Sequence, residues 1–304
     1  IEPSKTGVDK KEFIANLFKK NPRVFVTFDN DYLWVGSDGL PDHPMMIGIT
    51  NWQQQVPIPQ PYRGTNLWRI PLKSTVAKSP SYLKGHFLRG AIAVAVNGVP
   101  IFNPQNNRGE ISKDIGELDQ WGGHCGRADD YHYHVIPLHL QSVVGPNLPV
   151  AFALDGYPVY GETEPDGSKL QKLDTCGGHD DPKFGYHYHG LTKSPYTFTG
   201  FHGVVTEKDG QVDPQPRATS FRPATSPLPG ATITDFTILG ANHYKLSYTL
   251  NGEKRFISYS ITESEAKFEY NNGKAGITSE TYSPRENGGA GKSDNRPDHK
   301  NPPR

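Results

Sequence analysis

The 304-residue chain has little of several features that usually indicate a function class. Its 32 basic residues balance its 32 acidic residues, so no overall field attracts it to nucleic acid or to an anionic membrane. No apolar run reaches the eighteen or so residues that a membrane-spanning helix needs. We therefore expect no nucleic-acid partner and no membrane span.

Motifs of common enzyme chemistries are also missing. The sequence contains no Gly-x-x-x-x-Gly-Lys phosphate loop, no Gly-x-Ser-x-Gly nucleophile turn and no His-Glu-x-x-His helix. Nucleotide chemistry and serine hydrolysis thus have little support. What the chain does have is glycine and proline, with 32 and 27 residues, which favour many turns and short strands over long helices.

One stretch of the chain occurs twice. Residues 122–134 contain Gly-Gly-His followed by Tyr-His-Tyr-His, and the pattern recurs at 177–189. Further upstream, residues 95–102 resemble residues 153–160. We predict duplicated half-domains at about 90–137 and 150–191, because two copies are too few for a solenoid. The expected arrangement is a pair of halves around a pseudo-twofold axis with a histidine-rich centre.

The duplicated histidines predict a transition-metal site. Alternate side chains of a strand share a face, so the two histidines of each Tyr-His-Tyr-His motif point to one side and the tyrosines to the other. The paired glycines would let the backbone bend a third imidazole inward. Imidazole suits zinc, copper, iron and nickel, and we expect copper or zinc. The predicted ligands are His124, His132, His134, His179, His187 and His189.

The spacing leaves two arrangements of the metal open. One ion could be shared at the pseudo-twofold axis, or each half could hold one ion with three histidines. Three histidines with an open position are typical of catalytic zinc and of several copper centres, whereas filled positions favour structural or storage metal.

Three further polar residues are candidates around the metal. Asp119 and Asp174 occupy equivalent places in the repeat and could orient imidazoles from outside the ligand set, with turn or helix capping as the alternative. His202 lies just beyond the second copy and is a candidate catalytic proton shuttle, with a core or loop histidine as the alternative.

The only two cysteines, Cys125 and Cys176, take different places in the two copies of the repeat. A symmetric metal site would align them, so we predict a disulfide that joins the halves, with paired thiolate ligands as the alternative. A disulfide favours an oxidising compartment. Because the sequence begins at Ile1 rather than Met, we also interpret the chain as a mature form that is secreted, periplasmic or extracellular. A truncated cytosolic chain is the alternative.

The doubled Tyr-His-Tyr-His motif at 131–134 and 186–189 has Gly-Gly-His ahead of each copy and the two cysteines beside it. In these features the chain resembles the family called YHYH proteins. The resemblance covers roughly residues 90–205, about a third of the chain. It implies a secreted bacterial origin and a shared fold, without specifying a reaction.

Together these patterns predict a mainly β fold, with α+β as the alternative, and a small C-terminal β unit. The predicted divisions are an N-terminal helical segment at 1–22, a β domain with the duplication at 23–210, a linker at 211–231, a small β unit at 232–282 and a flexible or surface-strapped tail at 283–304.

The predicted function is a secreted metalloenzyme that acts on an unknown extracellular substrate. Zinc would hydrolyse an ester or phosphoester through a bound water, and copper would carry out redox chemistry. The alternative is a non-catalytic module, stabilised by metal, that binds a polymer or cell-wall partner.

Overall fold

The computed structural model describes residues 10–284, and their regular structure is mostly β-sheet, which confirms the predicted fold class. Only two α-helices, α1 (Lys10–Phe18) and α2 (Gln141–Val144), occur within these residues, with 3-10 turns at Ser112–Ile115, Leu138–Leu140 and Gly273–Ala275. None of the described helices is long and apolar enough to cross a membrane. Residues 1–9 of the predicted N-terminal segment and 285–304 of the predicted tail lie outside the described residues.

The first sheet is a three-stranded antiparallel meander, and one further strand follows it. Their bounds are β1 (Phe25–Phe28), β2 (Tyr32–Gly36), β3 (Trp68–Pro71) and β4 (Val76–Tyr82).

An eight-stranded sheet forms the middle of the molecule. Its strands are β5 (Ala91–Ala95), β6 (Pro100–Phe102), β7 (Gly123–Cys125), β8 (Tyr131–Tyr133), β9 (Ala151–Ala153), β10 (Pro158–Tyr160), β11 (Gly178–His179) and β12 (His187–His189). They lie side by side in the order β11-β12-β10-β9-β5-β6-β8-β7. The central strands β5 and β9 are buried throughout, as expected of apolar strands covered on both faces.

The strand order has the symmetry of the sequence repeat. Counted outward from the centre, β5, β6, β8 and β7 on one side match β9, β10, β12 and β11 on the other. Val94 and Phe152, which are equivalent in the repeat, face each other in the central antiparallel pair. The flanking pairs are Ala93 with Ala153 and Ala95 with Ala151. A pseudo-twofold axis of the strand order therefore passes between Val94 and Phe152, while the duplication of half-domains stays a prediction.

Where it crosses the central strand pair, the axis passes between apolar residues rather than histidines. The histidine-bearing pairs β7–β8 and β11–β12 lie at opposite edges of the eight-stranded sheet. The segments that follow the two motifs nonetheless come close, since a Cβ on Gly190, next to His189, would lie 2.3 Å from Cβ of Ile136, two residues after His134. Small apolar strands, which tolerate burial on both faces, occupy the middle of the strand order. The histidines form two separate groups of donor atoms, and a histidine-rich centre at the axis stays a prediction.

The predicted disulfide is absent. Cys125 ends β7 at one edge, and Cys176 lies two residues before β11 at the other. A disulfide needs Cα atoms within about 7 Å of each other. Both cysteines are free and buried, and neither the disulfide nor a site with paired thiolates is present.

The remaining strands lie after the central sheet. Strand β13 (Gly200–Gly203) pairs with β4, and β14 (Glu207–Lys208) pairs with β15 (Gln211–Val212). A five-stranded meander follows, made of β16 (Ala231–Gly240), β17 (His243–Leu250), β18 (Glu253–Ile261), β19 (Ala266–Asn271) and β20 (Ile277–Tyr282). Strands β17 and β18 form the hairpin expected from Asn251-Gly252, whose φ angles of 51° and 84° suit a type I′ turn.

The meander packs against the rest of the chain. The hydroxyl of Tyr259 donates to the carbonyl of Pro57 at 2.6 Å, and backbone bonds join Ile233 to Gly48 and Ile49 at 2.9 and 3.1 Å. The predicted division of the chain into 23–210, 211–231 and 232–282 stays a prediction.

Candidate metal centres

The first histidine cluster consists of His124, His132 and His134. Antiparallel pairing of β7 with β8 places His124 opposite His132, and His134 follows on the same face of the chain. The Nε2 atom of His134 lies 3.0 Å from Nε2 of His124 and 3.2 Å from Nε2 of His132. Three ring nitrogens thus converge on one point.

Backbone carbonyls hold two of these rings in place. The Nδ1 atom of His132 lies 3.0 Å from the carbonyl oxygen of Asp130, and Nδ1 of His134 contacts the carbonyl of Asn103. A carbonyl only accepts, so each Nδ1 carries the proton and each Nε2 presents a lone pair. Two lone pairs at this distance repel each other unless a cation or a proton lies between them.

Burial also keeps these imidazoles neutral. It lowers the pKa of His134 to about 4, and it lowers the pKa of His124 and of His132 well below the usual value, with the neighbouring imidazoles adding to the effect. Neutral imidazole is the form that binds metal.

The second histidine cluster consists of His179, His187, His189 and Glu164. Oε1 of Glu164 lies 3.1 Å from Nε2 of His179, and Oε2 lies 3.2 Å from Nε2 of His187 and 3.8 Å from Nε2 of His189. Nε2 of His189 is buried without a hydrogen-bond partner. All four residues are buried, and their donor atoms lie within 4.8 Å of one another.

The second cluster orients its rings as the first does. Nδ1 of His187 lies 2.8 Å from the carbonyl of Gly185, and Nδ1 of His189 lies 2.6 Å from that of Gly161. In the repeat, Gly185 is equivalent to Asp130 and Gly161 to Asn103. Burial lowers the pKa of His189 to about 4. Both halves therefore direct Nε2 atoms inward with the same backbone groups.

The paired glycines ahead of each cluster are required by close packing. A Cβ on Gly178 would lie 2.4 Å from the backbone oxygen of His187, and a Cβ on Gly123 would lie 2.4 Å from the hydroxyl of Tyr131. The preceding glycines, Gly122 and Gly177, have φ angles of 85° and 83°. Glycine thus allows the histidine strand to approach its partner closely.

The aspartates of the repeat contact the tyrosines of the motif. Asp119 accepts a hydrogen bond from the hydroxyl of Tyr131 at 2.7 Å, and Asp174 accepts one from Tyr186 at 2.9 Å. Asp119 and Asp174 also accept backbone N–H groups of their own turns. Among the described residues neither carboxylate bonds to a histidine, so the structure favours turn capping over orientation of imidazoles.

His202 lies on the tyrosine side of the second motif. Its ring stacks on Tyr186 at a centroid distance of 3.7 Å, and its backbone N–H donates to the hydroxyl of Tyr188 at 2.7 Å. Because these tyrosines point away from His187 and His189, His202 does not reach the second cluster. This position is that of a core or loop histidine.

Sequence reasoning missed Glu164. The hydrogen bond from Gly167 N–H to the Glu164 carbonyl repeats the one from Gly109 to Asn106, so Glu164 is the counterpart of Asn106. Extending the repeat alignment of 95–102 with 153–160 by four residues would have paired the two. It would also have shown a carboxylate present in only one half.

A cavity of about 260 Å³ lies on the tyrosine side of the first motif. There, Nε2 of His43 lies 2.8 Å from the hydroxyl of Tyr133, and Nε2 of His139 is buried without a partner. Burial lowers the pKa of His43 to about 4, and burial together with the nearby His43 lowers the pKa of His139 to about 4. The other lining residues are Leu17, Lys20, Asn21, Asp42, Val96, Asn97, Leu140 and Val143.

We expect His139→Phe to make the metal-free protein more resistant to acid. A histidine whose pKa is lower in the folded state stabilises that state fully above pH 6.5 and loses this contribution as the pH falls towards 4. Phenylalanine keeps the ring that packs on Trp121 at 4.8 Å but does not titrate. Relative to the parent, the variant should gain about 2 kcal/mol between pH 8 and pH 4.5, after allowance for partial exposure.

Urea unfolding in the presence of a chelator at pH 8, 6 and 4.5 measures this difference. His243→Phe is the control, because it makes the same substitution at an exposed histidine on β17. Parallel stability curves for the parent and His139→Phe would contradict the expectation.

Comparison with known proteins adds one match. A family model described as YHYH protein matches residues 67–169, a span that includes the first histidine cluster and ends before the histidines of the second. No curated protein and no solved structure matches the chain.

Proposed function

We propose that this chain, of which residues 67–169 match the YHYH family model, binds two transition-metal ions, one in each histidine cluster. The proposal chooses between the two arrangements that the sequence left open. The observation that carries it is the convergence of three Nε2 atoms in the first cluster. Nε2 of His134 lies 3.0 Å from Nε2 of His124 and 3.2 Å from Nε2 of His132.

These distances suit a common ion. A metal–imidazole bond measures about 2.0–2.1 Å, which places two nitrogen ligands about 2.9–3.3 Å apart for bond angles between 90° and the tetrahedral value. A hydrogen bond accounts for one pair only, that in which neutral His124 carries its proton on Nε2 and donates to His134, because His132 and His134 both use Nδ1 as the donor. An ion removes the lone-pair repulsion in both measured contacts.

Copper or zinc is the proposed metal. The ligand sets are rich in imidazole and contain no thiolate, since neither cysteine belongs to a cluster. We propose that the protein is a metalloenzyme acting on an extracellular substrate, by hydrolysis with zinc or by redox chemistry with copper. Secretion is part of this proposal, although the free cysteines no longer support it; recovery of the native protein only from cytosol would contradict it.

A non-catalytic module is the second candidate, and one observation favours it. Glu164 supplies a fourth donor to the second cluster. A four-coordinate ion held there would have no position left for a water molecule or a substrate. A closed site of this kind stabilises a fold. The bound partner would then be a polymer or a cell-wall component.

Metal content tests the proposal. Protein purified without an affinity tag is measured by ICP-MS beside His132→Ala, His187→Ala and the double variant. We expect two ions in the parent, one in each single variant and none in the double variant, because each substitution removes a central ligand. His243→Ala, at an exposed histidine outside both clusters, is the control and should keep both ions.

Absence of transition metal from the parent, even after reconstitution with zinc or copper, would overturn the proposal. An activity assay separates the two candidate functions. Hydrolysis of 4-nitrophenyl acetate or bis(4-nitrophenyl) phosphate by the zinc form, lost in His132→Ala, supports the enzyme; no hydrolysis and no oxidase activity of the copper form supports the module.

A further inference from the structure

We infer that the two metal sites have different functions. The second is a closed structural site, and the first keeps one coordination position open for a water molecule or a small exogenous ligand. This inference rests on the proposed metal binding.

The first observation is that equivalent positions of the two halves hold different residues, a glutamate in one and an asparagine in the other. Glu164 and Asn106 close the same turn in their respective halves, with backbone bonds to Ser168 and Glu110. The carboxylate of Glu164 lies against three imidazoles. The Asn106 amide instead donates to Glu117 at 3.2 Å, and no carboxylate among residues 10–284 joins the first cluster.

The second step is access. His124, unlike any member of the second cluster, is only partly buried, and it forms part of the wall of a small pocket. The pocket has a volume of about 10 Å³, which is enough for about one water molecule. A ligand of that size next to His124 would complete the coordination that Glu164 completes in the other half.

The third step is a fixed carboxylate beside the open position. Glu117 lines the same pocket as His124 and is buried, with one oxygen bonded to Arg108 and the other to Asn106. Held in this way, it can accept a hydrogen bond from a ligand in the pocket. Three imidazoles, an exchangeable ligand and a nearby carboxylate are the arrangement of a reactive site.

Cobalt substitution with azide as the probe tests the inference. Co²⁺ replaces the native metal, its absorption bands report coordination, and azide enters only an open position. We expect the parent to bind two cobalt ions and a single azide, with the azide-sensitive bands missing in His132→Ala and retained in His187→Ala.

Exchanging the two residues provides the decisive variants. Asn106→Glu should close the first site and abolish the azide response while both cobalt ions remain. Glu164→Asn should open the second site, so that it either responds to azide or releases its ion at a lower chelator concentration than the first. Asn107→Glu is the matched control, because its exposed side chain gains the same charge one residue away from Asn106 and should leave the azide response unchanged.

The outcomes separate this inference from the function on which it rests. A protein that binds no cobalt, copper or zinc contradicts the metal proposal itself. Two bound ions that both respond to azide, or that both fail to respond, contradict only the difference between the sites. An Asn106→Glu variant that binds azide as the parent does would also overturn it.

Discussion

Arg222→Met is expected to lower the free energy of unfolding by about 3–5 kcal/mol, because it leaves a buried charge without its partner. The guanidinium of Arg222 forms two hydrogen bonds of 2.8 Å to Asp129, and the two side chains are only 3% and 2% exposed. It also donates to the carbonyl of Gln54 at 2.7 Å and lies 4.8 Å from the ring centroid of Phe268.

The position of this pair explains why its loss would matter. Asp129 belongs to the loop between β7 and β8, which carries the first histidine cluster. Arg222 precedes the five-stranded meander, and Phe268 lies within it. The ion pair therefore connects the loop of the first cluster to the C-terminal sheet.

Urea unfolding of three variants measures the effect. Arg222→Met/Asp129→Asn should recover part of the loss, because no unpaired charge is then buried and asparagine tolerates the φ of 59° at this position. Arg63→Met is the control, since its ion pair with Glu263 is 68% and 90% exposed and should contribute less than about 1 kcal/mol. Equal losses in Arg222→Met and Arg63→Met would show that the buried pair has no special role.

Gly178→Ala should destabilise the protein by about 3 kcal/mol and remove metal from the second cluster alone. The new Cβ would lie 2.4 Å from the backbone oxygen of His187, and 2.8 Å from the hydroxyl of Tyr186. A backbone oxygen cannot rotate away, so β11 and β12 must separate. His179 would then no longer lie opposite His187.

Thermal unfolding and metal analysis of the same preparation test this expectation. The control is Gly240→Ala, where an added Cβ meets nothing within 4 Å, and its stability should change by less than about 0.5 kcal/mol. We expect Gly178→Ala to keep the ion of the first cluster. Loss of both ions would indicate unfolding of the whole sheet, and retention of both would contradict the steric role of Gly178.

Local pattern was sufficient to predict the β fold and the composition of each histidine triplet. Strand alternation predicts that the motif histidines share one face and the tyrosines the other, and Tyr131 and Tyr186 indeed bond to aspartates of the turns rather than to imidazoles. This succeeds because the two-residue period of a strand is a property of the backbone. Whether the histidines bind metal stays a prediction, as does the role of each as a ligand.

The tertiary structure alone decided where the two triplets lie and what else joins them. Strand order depends on which segments can be buried on both faces, and that competition placed β5 and β9 at the centre and the histidines at the edges. It separated Cys125 from Cys176 and removed the predicted disulfide. It also brought Glu164 to the second cluster and left Asn106 away from the first. Such a contact with a distant turn depends on packing between segments, which the two-residue period of a strand does not predict.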